Sequence, residues 1–393
     1  MKSEKEENSR RTFVKQAGIL GVGAILTSSN TLNAFGAPVR LPRNISTKGY
    51  AGTSISAPLK PWVFERRALG DNDILIDIKF SGICHSDIHT ARGHWGPQIY
   101  PQVVGHEIAG IVSAIGKNVT KFKVGDKAGV GCMVDSCMQC ESCKKGEEHH
   151  CEITGMLGTY GAPDKTSPTG ITQGGYSNNM VVRDHFAIKI PESIDLQHAA
   201  PLLCAGITTY SPIMQSKIKK GDKVGIIGIG GLGHIAIKLA VSRGAEVYAF
   251  TSSESKKRDI LRFGAKEVIV VDNPEKLKPY TGKLDYMLST VPYDYDISAY
   301  SNCVKPYGTF TQVGMPVNGE LKINNFLFVN NRVNYNASMI GGIPETQEVI
   351  NYCADNKILP EIQVIPASQI NEAWDRVVSK EARYRYVIDA STF

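Results

Sequence analysis

The sequence predicts an α/β protein in which a mostly β unit is followed by a doubly wound parallel sheet, and three observations predict it. Between about residues 48 and 190, short β-type runs such as DILIDIKFSGI (73–83), AGIVSAIG (109–116) and KVGDKAGVG (123–131) alternate with glycine and aspartate turns. Strands of that length and spacing read as a compact all-β or α+β unit. Near residue 191 the character changes. An apolar helical segment, HAAPLLCAGITTYSPIM (198–214), leads into KVGIIGIGGLGHIAIKLAVSRGAEVYAF (223–250). The latter is an apolar strand, a glycine turn, an amphipathic helix and a second strand, which together form a βαβ unit. VIVVDN (268–273), LDYMLSTV (284–291) and GTFTQVGM (308–315) continue as short buried strands, as a parallel sheet covered on both faces requires. After about residue 338 the rhythm ends in SMIGG and a helix–strand tail.

The chain of 393 residues is long enough for two or three domains, each with its own core. The net charge of +6 is modest, and basic runs such as KIKK (217–220) and KKR (256–258) are short and lie beside turns. Solvated faces account for them, and nucleic-acid binding is not expected. The first 37 residues are of a different kind. A charged start, the string S-R-R-T-F-V-K (9–15), the apolar run AGILGVGAIL (17–26) and a small-residue region ending near Ala37 have the order of a signal peptide. The apolar run of ten is too short for a membrane span, which takes about 20 residues. The arginine pair resembles a twin-arginine export signal, an address read by a receptor. A basic tail with a buried helix behind it is the plainer alternative, but order, length and position fit the signal better.

Nine cysteines make an odd number, and four of them fall within fifteen residues. In a large chain this favours metal ligation over a disulfide framework. Cys137, Cys140, Cys143 and Cys151 follow C-x-x-C-x-x-C-x(7)-C. Four thiolates on one tight loop close a tetrahedron around zinc at about 2.3 Å per bond and leave no open position, so the ion staples the loop. An iron–sulfur cluster or two disulfides are the alternatives. A second set is scattered: Cys84, His106 and Cys204 would give a catalytic zinc its mixed sulfur and nitrogen ligands, with Glu107 as a displaceable fourth or as a supporting partner. Their spacing carries no signal, and each alone reads as an ordinary core residue.

Gly228-Ile229-Gly230-Gly231-Leu232-Gly233 is G-x-G-x-x-G between a strand and a helix. The glycines permit a tight turn and a close approach of the backbone to a pyrophosphate, which sits on the helix N-terminus. The second strand ends in Thr251-Ser252-Ser253 with Lys256 and Lys257 behind it, where binding of NAD calls for an acidic residue. Hydroxyls and cations suit a 2′-phosphate and favour NADP; Glu254 lies slightly late for the NAD role.

These residues together resemble one family. GICHSDIH, YPQVVGHEIAGIVSAIG, VGDKAGVGC, SCMQCESCKKGEEHHC, GGYSNNMVV, PLLCAGITTY, GIGGLGH and TSSESKK occur in the order expected of a zinc-dependent medium-chain alcohol dehydrogenase, most similar to its NADP-dependent, cinnamyl-alcohol dehydrogenase-like branch. The resemblance covers residues 48 to 393. It implies a GroES-like catalytic domain over 38–190 with a structural zinc lobe, a Rossmann domain over 191–338 and a return to the catalytic domain over 339–393. It implies two zinc ions per chain, one on Cys84, His106, Cys204 and the displaceable Glu107, the other on Cys137, Cys140, Cys143 and Cys151. Ser86 is the implied relay hydroxyl and His89 the relay histidine, and Trp95 is the implied pocket aromatic. NADP(H) contacts are implied for Gly228, Gly230, Gly231, Leu232, Gly233, Thr251, Ser252, Ser253, Lys256 and Thr208. One position departs: where the family commonly reads S-x-x-G-S, this chain has SMIGG, with Gly342 in place of serine.

The implied activity is interconversion of primary alcohols and aldehydes, aromatic or medium-chain, running mainly as aldehyde reduction. A zinc-free quinone or enone reductase of the same fold, or a non-enzymatic cofactor-binding relative, are the rival readings, and the intact ligand sets oppose both. The resemblance further implies a homodimer. The N-terminus implies a periplasmic protein handled by the twin-arginine machinery, or a cytoplasmic one if the signal is unused.

Overall fold

The computed structural model describes residues 43–393, so the signal read over 1–37 lies outside the described residues. No helix among the described residues is long and apolar enough to cross a membrane. The chain opens with an antiparallel hairpin of β1 (Ile45–Ala51) and β2 (Lys60–Arg66). β3 (Asp73–Gly82) follows, its alternate residues Ile74, Ile76 and Ile78 buried as its period-2 pattern predicts. It leads into helix α1 (His85–Ala91). Next come β4 (Ile108–Ile115) and β5 (Lys127–Val130). A small lobe holds β6 (Met133–Asp135), α2 (Glu141–Lys144) and β7 (Leu157–Gly158), and β8 (Asn179–Arg183) and β9 (Ala187–Lys189) complete the first part.

The second part holds β10 (Lys223–Ile227), α5 (Gly233–Ser242), β11 (Glu246–Thr251), β12 (Glu267–Val270), β13 (Leu284–Ser289), β14 (Val304–Gln312) and β15 (Asn334–Ala337). All six strands are parallel, in the order β12-β11-β10-β13-β14-β15. The order reverses between β10 and β13, the switch point at which doubly wound sheets bind ligands beyond their strand ends. The glycine turn leaves β10 there. The fold is thus the expected α/β pair, a GroES-like unit and a Rossmann sheet.

The segment read as one helix over 198–214 is three pieces. α3 (Leu196–Pro201) and α4 (Ile207–Gln215) flank a π-helical turn, Leu202–Gly206, that carries Cys204. Pro201 has no N–H to donate at its entry. Thr209 Oγ donates to the Ala205 and Gly206 carbonyls at 2.8 and 3.2 Å, occupying acceptors in the widened turn. Periodicity alone reads such a turn as helix; π turns of this kind concentrate at functional sites.

The tail runs through a helix, Ile343–Asp355, to β16 (Ile362–Pro366), a second helix, Ile370–Val378, and β17 (Arg385–Asp389). β17 lies antiparallel to β3 with Val387 opposite Gly82, so the last strand joins the first part's sheet, order β16-β17-β3-β4-β5-β9 with β8 also on β3. This pairing sets Arg385, at the head of β17, close to where β3 hands over to Cys84.

Candidate metal and dinucleotide site

Cys84 ends the turn after β3 and is the N-cap of α1, His106 and Glu107 immediately precede β4, and Cys204 rides the π turn. The fold brings all four together: their donor atoms lie within 4.8 Å of one another, and all four residues are buried. Cys84 Sγ is 4.0 Å from Cys204 Sγ, near the ~3.8 Å edge of a tetrahedron with 2.3 Å zinc–sulfur bonds. His106 Nε2 is 3.1 Å from Cys204 Sγ. Cys84 is held well below the ordinary thiol range, first by the hydrogen bond from Cys204 and then by His106, whereas Cys204 is pushed up by Cys132 and Cys84. Two buried thiols this close resist double ionisation, and a divalent cation between them removes that conflict. The residues therefore fit a zinc ion.

Sequence reasoning missed the groups behind the ligands. Asp87 Oδ1 accepts from His106 Nδ1 at 2.8 Å, which fixes the ring with Nε2 free for a metal. Asp87 Oδ2 in turn accepts from the Tyr176 hydroxyl at 3.0 Å and the Cys84 amide at 3.0 Å, and Trp374 Nε1 donates to Tyr176 at 3.3 Å. A signal was available: a metal-bound histidine wants a carboxylate, and Asp87 stands inside the GICHSDIH motif. For Arg385 and Cys132 the sequence held none. Arg385 pairs with Glu107 Oε1 and stays protonated because Glu107 and the thiols outweigh its burial. Glu107 Oε2 is buried without a hydrogen-bond partner among the described residues, and burial raises this carboxyl to about 7 against the pull of Arg385. A carboxylate so placed can lean toward a metal or back toward the arginine. Arg385 also packs on the glycine turn, since a Cβ at Gly231 would sit 2.7 Å from its Cδ and Nη1. One guanidinium thus touches both halves of the site.

Ser86 Oγ is 3.8 Å from Cys84 Sγ, so the predicted relay hydroxyl flanks the ligand cluster. His89, in the last turn of α1, is buried and its Nε2 has no hydrogen-bond partner among the described residues. Burial first, then His85 and His94, lower it to about 4, so it is neutral at physiological pH. Trp95 is 40% exposed with its ring 4.9 Å from His89, which places it beside the histidine predicted as the relay rather than in the core.

The four clustered cysteines also converge, with donor atoms within 4.8 Å and Cys137 Sγ 3.8 Å from Cys143 Sγ. Amides point at the sulfurs: Cys140 N–H donates to Cys137 at 3.3 Å and Cys143 N–H to Cys140 at 3.5 Å. The Thr154 hydroxyl helps bring Cys151 down to about 5. Such a nest stabilises thiolates and fits zinc. The lobe leans on the tail: Glu148, buried, accepts from His185 Nε2 at 2.7 Å and from the Ile343 amide at 2.9 Å. This contact explains the departure at Gly342. A Cβ there would fall 1.6 Å from the Gly146 carbonyl oxygen, so a serine has no room beneath the lobe.

In the glycine turn, Gly228 has φ +82° and a Cβ at Gly233 would fall 2.2 Å from the Gly228 oxygen, whereas one at Gly230 would meet nothing within 4 Å. Tight turn, helix–strand contact and open approach are thus divided among the three, as a pyrophosphate cradle requires. Leu232 caps α5. His234 locks the turn, with its ring nitrogens on the Gly230 carbonyl and the Glu361 amide, each at 3.0 Å.

The two lysines after β11 separate. Lys257 is exposed and 3.5 Å from Glu254, the solvated pair expected of a surface turn. Lys256 folds inward, its Nζ 3.0 Å from the Ile229 carbonyl, and burial with Arg383 and Lys380 nearby lowers it to about 8. Neither Lys256 nor Arg383 pairs with a carboxylate among the described residues, and Arg383 donates to Ser255 at 2.6 Å. The cluster of cations fits an anionic group beside Thr251, Ser252 and Ser253. Thr208 lies in the first turn of α4, nearly buried, and no hydrogen bond ties it to the turn.

Comparison with known proteins agrees with this geometry. Residues 70–192 match the family described as alcohol dehydrogenase GroES-like domain, and residues 231–355 the family described as zinc-binding dehydrogenase. The chain is 46% identical to NADP-dependent alcohol dehydrogenase C 1 of Mycolicibacterium smegmatis, covering 88% of this chain and 99% of that one. It is 43% identical to aldehyde reductase YahK of Escherichia coli, covering 88% and 98%. It superposes on the crystal structure of CAD from Helicobacter pylori complexed with NADP(H) with a TM-score of 0.84 and 43% identity, covering 89% and 99%. With a converged Cys84–His106–Glu107–Cys204 set and a converged four-cysteine set on this fold, the chain belongs to the zinc-dependent medium-chain alcohol dehydrogenase family.

Proposed function

We propose that the protein interconverts primary alcohols and aldehydes with NADP(H), acting mainly as an aldehyde reductase on aromatic or medium-chain substrates. The observation that carries this reading is the convergence of Cys84, His106, Glu107 and Cys204 next to a glycine turn that Arg385 touches. Relatives named as NADP-dependent alcohol dehydrogenases and an aldehyde reductase support it. When bound, zinc supplies Lewis acidity at the substrate oxygen and NADP(H) supplies the hydride chemistry. The side chains do the rest. Cys84, His106 and Cys204 hold one ion while Asp87 orients the imidazole, and Cys137, Cys140, Cys143 and Cys151 hold a second. Ser86 presents a hydroxyl beside the ligands, and His89, neutral and with a bare acceptor nitrogen, takes the alcohol's proton or returns it. Lys256 with Ser252 and Ser253 receives the 2′-phosphate.

The test is NADPH oxidation with benzaldehyde or cinnamaldehyde, run beside NADH. NADPH should be strongly preferred, and Lys256→Ala should raise its KM roughly 10- to 100-fold, the worth of one hydrogen bond to a charged group. Equal use of NADH, or no turnover in protein carrying zinc, overturns the reading.

The domain limits 38–190, 191–338 and 339–393 belong to the same proposal, as do export and assembly. Export through the twin-arginine route delivers a protein already folded and metallated, which protects its thiolates in an oxidising compartment. β15 is the outer strand of the parallel sheet and is exposed along its length, with Phe326 81% and Val329 54% exposed nearby. An open edge flanked by apolar side chains suits pairing with a second copy. Cell fractionation and N-terminal sequencing should find a periplasmic protein lacking about its first 37 residues. Sedimentation equilibrium of that product should give a dimer. A cytoplasmic protein with Met1 retained, or a monomer, counts against the corresponding part.

A further inference from the structure

We infer that His94 is the outer half of the proton path, accepting from His89 and passing the proton to solvent. This rests on the reading of His89 as the relay histidine. His94 is not among the motif residues; the loop after α1 brings it there. Gly93, at φ +63°, turns the chain back, and the His94 amide donates to the His89 carbonyl at 2.9 Å. The two rings then meet with Nδ1 of His94 2.8 Å from Nδ1 of His89. Two ring nitrogens that close must share one hydrogen. The burial of the pair is asymmetric: His89 is 7% exposed, while His94 lies exposed at the surface.

The charge around the pair fits a path outward. His85 on the same helix, Arg92 capping its end, Cys84 at its head and His94 are the groups that act on His89, and Arg92 is 3.7 Å from Asp375 of the packed helix Ile370–Val378. Burial and the neighbouring imidazoles keep His89 neutral, so it holds one hydrogen. With that hydrogen on Nδ1 and directed at His94, Nε2 is a bare acceptor, in agreement with its having no hydrogen-bond partner among the described residues. In alcohol oxidation the substrate O–H bond breaks and its electron pair stays on oxygen. The proton forms the Nε2–H bond of His89, the Nδ1–H bond of His89 breaks, and that proton forms the Nδ1–H bond of His94, which loses a proton to water. The hydride goes to NADP+, and aldehyde reduction reverses each step. His89 resets its tautomer against water when the site empties. Because His94 acts only through His89, it is a positioning and relay residue.

The test uses zinc-loaded protein with His94→Phe, which keeps an aromatic ring but no nitrogen, beside His89→Asn. His94→Phe should lower kcat for alcohol oxidation roughly 10-fold in dilute buffer, less than the roughly 100-fold minimum for a group that takes the substrate proton itself, because His94 acts only through His89. Added imidazole should restore most of that loss, and the acid limb of the pH profile should move. In the cofactor-free protein, histidine 15N NMR should show the Nδ1–H tautomer of His89 in wild type and a higher titration point for His89 in His94→Phe, since His94 depresses it. If His89→Asn is impaired but His94→Phe has the wild-type rate and pH profile, His94 has no part in the path and the relay survives. A slow His94→Phe that imidazole does not rescue, with His89 titrating unchanged, also overturns the inference, since the ring then only packs. If both variants behave as wild type, the relay reading fails with it.

Discussion

Cys84→Ser and His106→Ala are each expected to lower turnover at least about a thousandfold while NADPH still binds. The residues sit on different elements, and each supplies one donor to a set whose atoms lie within 4.8 Å. Removing either leaves Cys204 and its neighbours in a buried site with too few ligands to retain the ion. The glycine turn lies on β10 and α5 and takes no ligand from the cluster, so cofactor binding should survive. Asp87→Asn should be milder, about 10- to 100-fold, because all four donor residues remain and only the hydrogen bonds that Asp87 accepts from His106, Tyr176 and the Cys84 amide are weakened. NADPH fluorescence titration, zinc analysis and the aldehyde assay on each variant check this. Near-normal activity in Cys84→Ser removes the assignment, and loss of NADPH binding in either would mean that the two sites are not separable as described.

Cys140→Ser is expected to have the second largest effect, on stability. Cys140 caps α2, and its sulfur accepts the Cys143 amide. A serine oxygen is a poor substitute for thiolate in a closed tetrahedral site, and structural zinc contributes folding energy directly. The lobe does not stand apart: Gly146 presses on Gly342, and Glu148 holds the Ile343 amide and His185. Helix Ile343–Asp355 in turn packs against the π turn that presents Cys204. Loosening the lobe should therefore reach the catalytic ligands as well as lower the melting temperature by about 10 °C, the scale of a few kcal/mol in a domain of this size. Calorimetry with zinc analysis gives the answer: about one ion lost per chain and an earlier transition. Two ions retained with unchanged melting would show that Cys140 is not a ligand.

The contrast between these two cysteines marks how far the sequence could be read. The four cysteines of the lobe, and the glycines from Gly228 to Gly233, were legible because a few residues of chain fix their relative positions. Lys256 and Lys257 were not distinguishable: both are cations after one strand, and only the turn's geometry sends Lys256 in under the glycine loop and leaves Lys257 in water. The helix read over 198–214 concealed a π turn, since apolar periodicity persists through a single widened turn.

By itself, then, the sequence determined the fold class, the dinucleotide turn and the closed cysteine cluster, each a matter of local spacing and hydrophobic period. Family motifs named Cys84, His106, Glu107 and Cys204 as a set, but spacing gave no reason for it, because Cys84 and Cys204 are 120 residues apart. The tertiary structure decided what surrounds that set. The register of β17 against β3 delivers Arg385 to Glu107 and Gly231, the lobe's approach to the tail leaves position 342 to glycine, and the loop after α1 sets His94 against His89. Those contacts join segments far apart in the chain or depend on one turn's backbone angles, so they exist only once the sheets have paired.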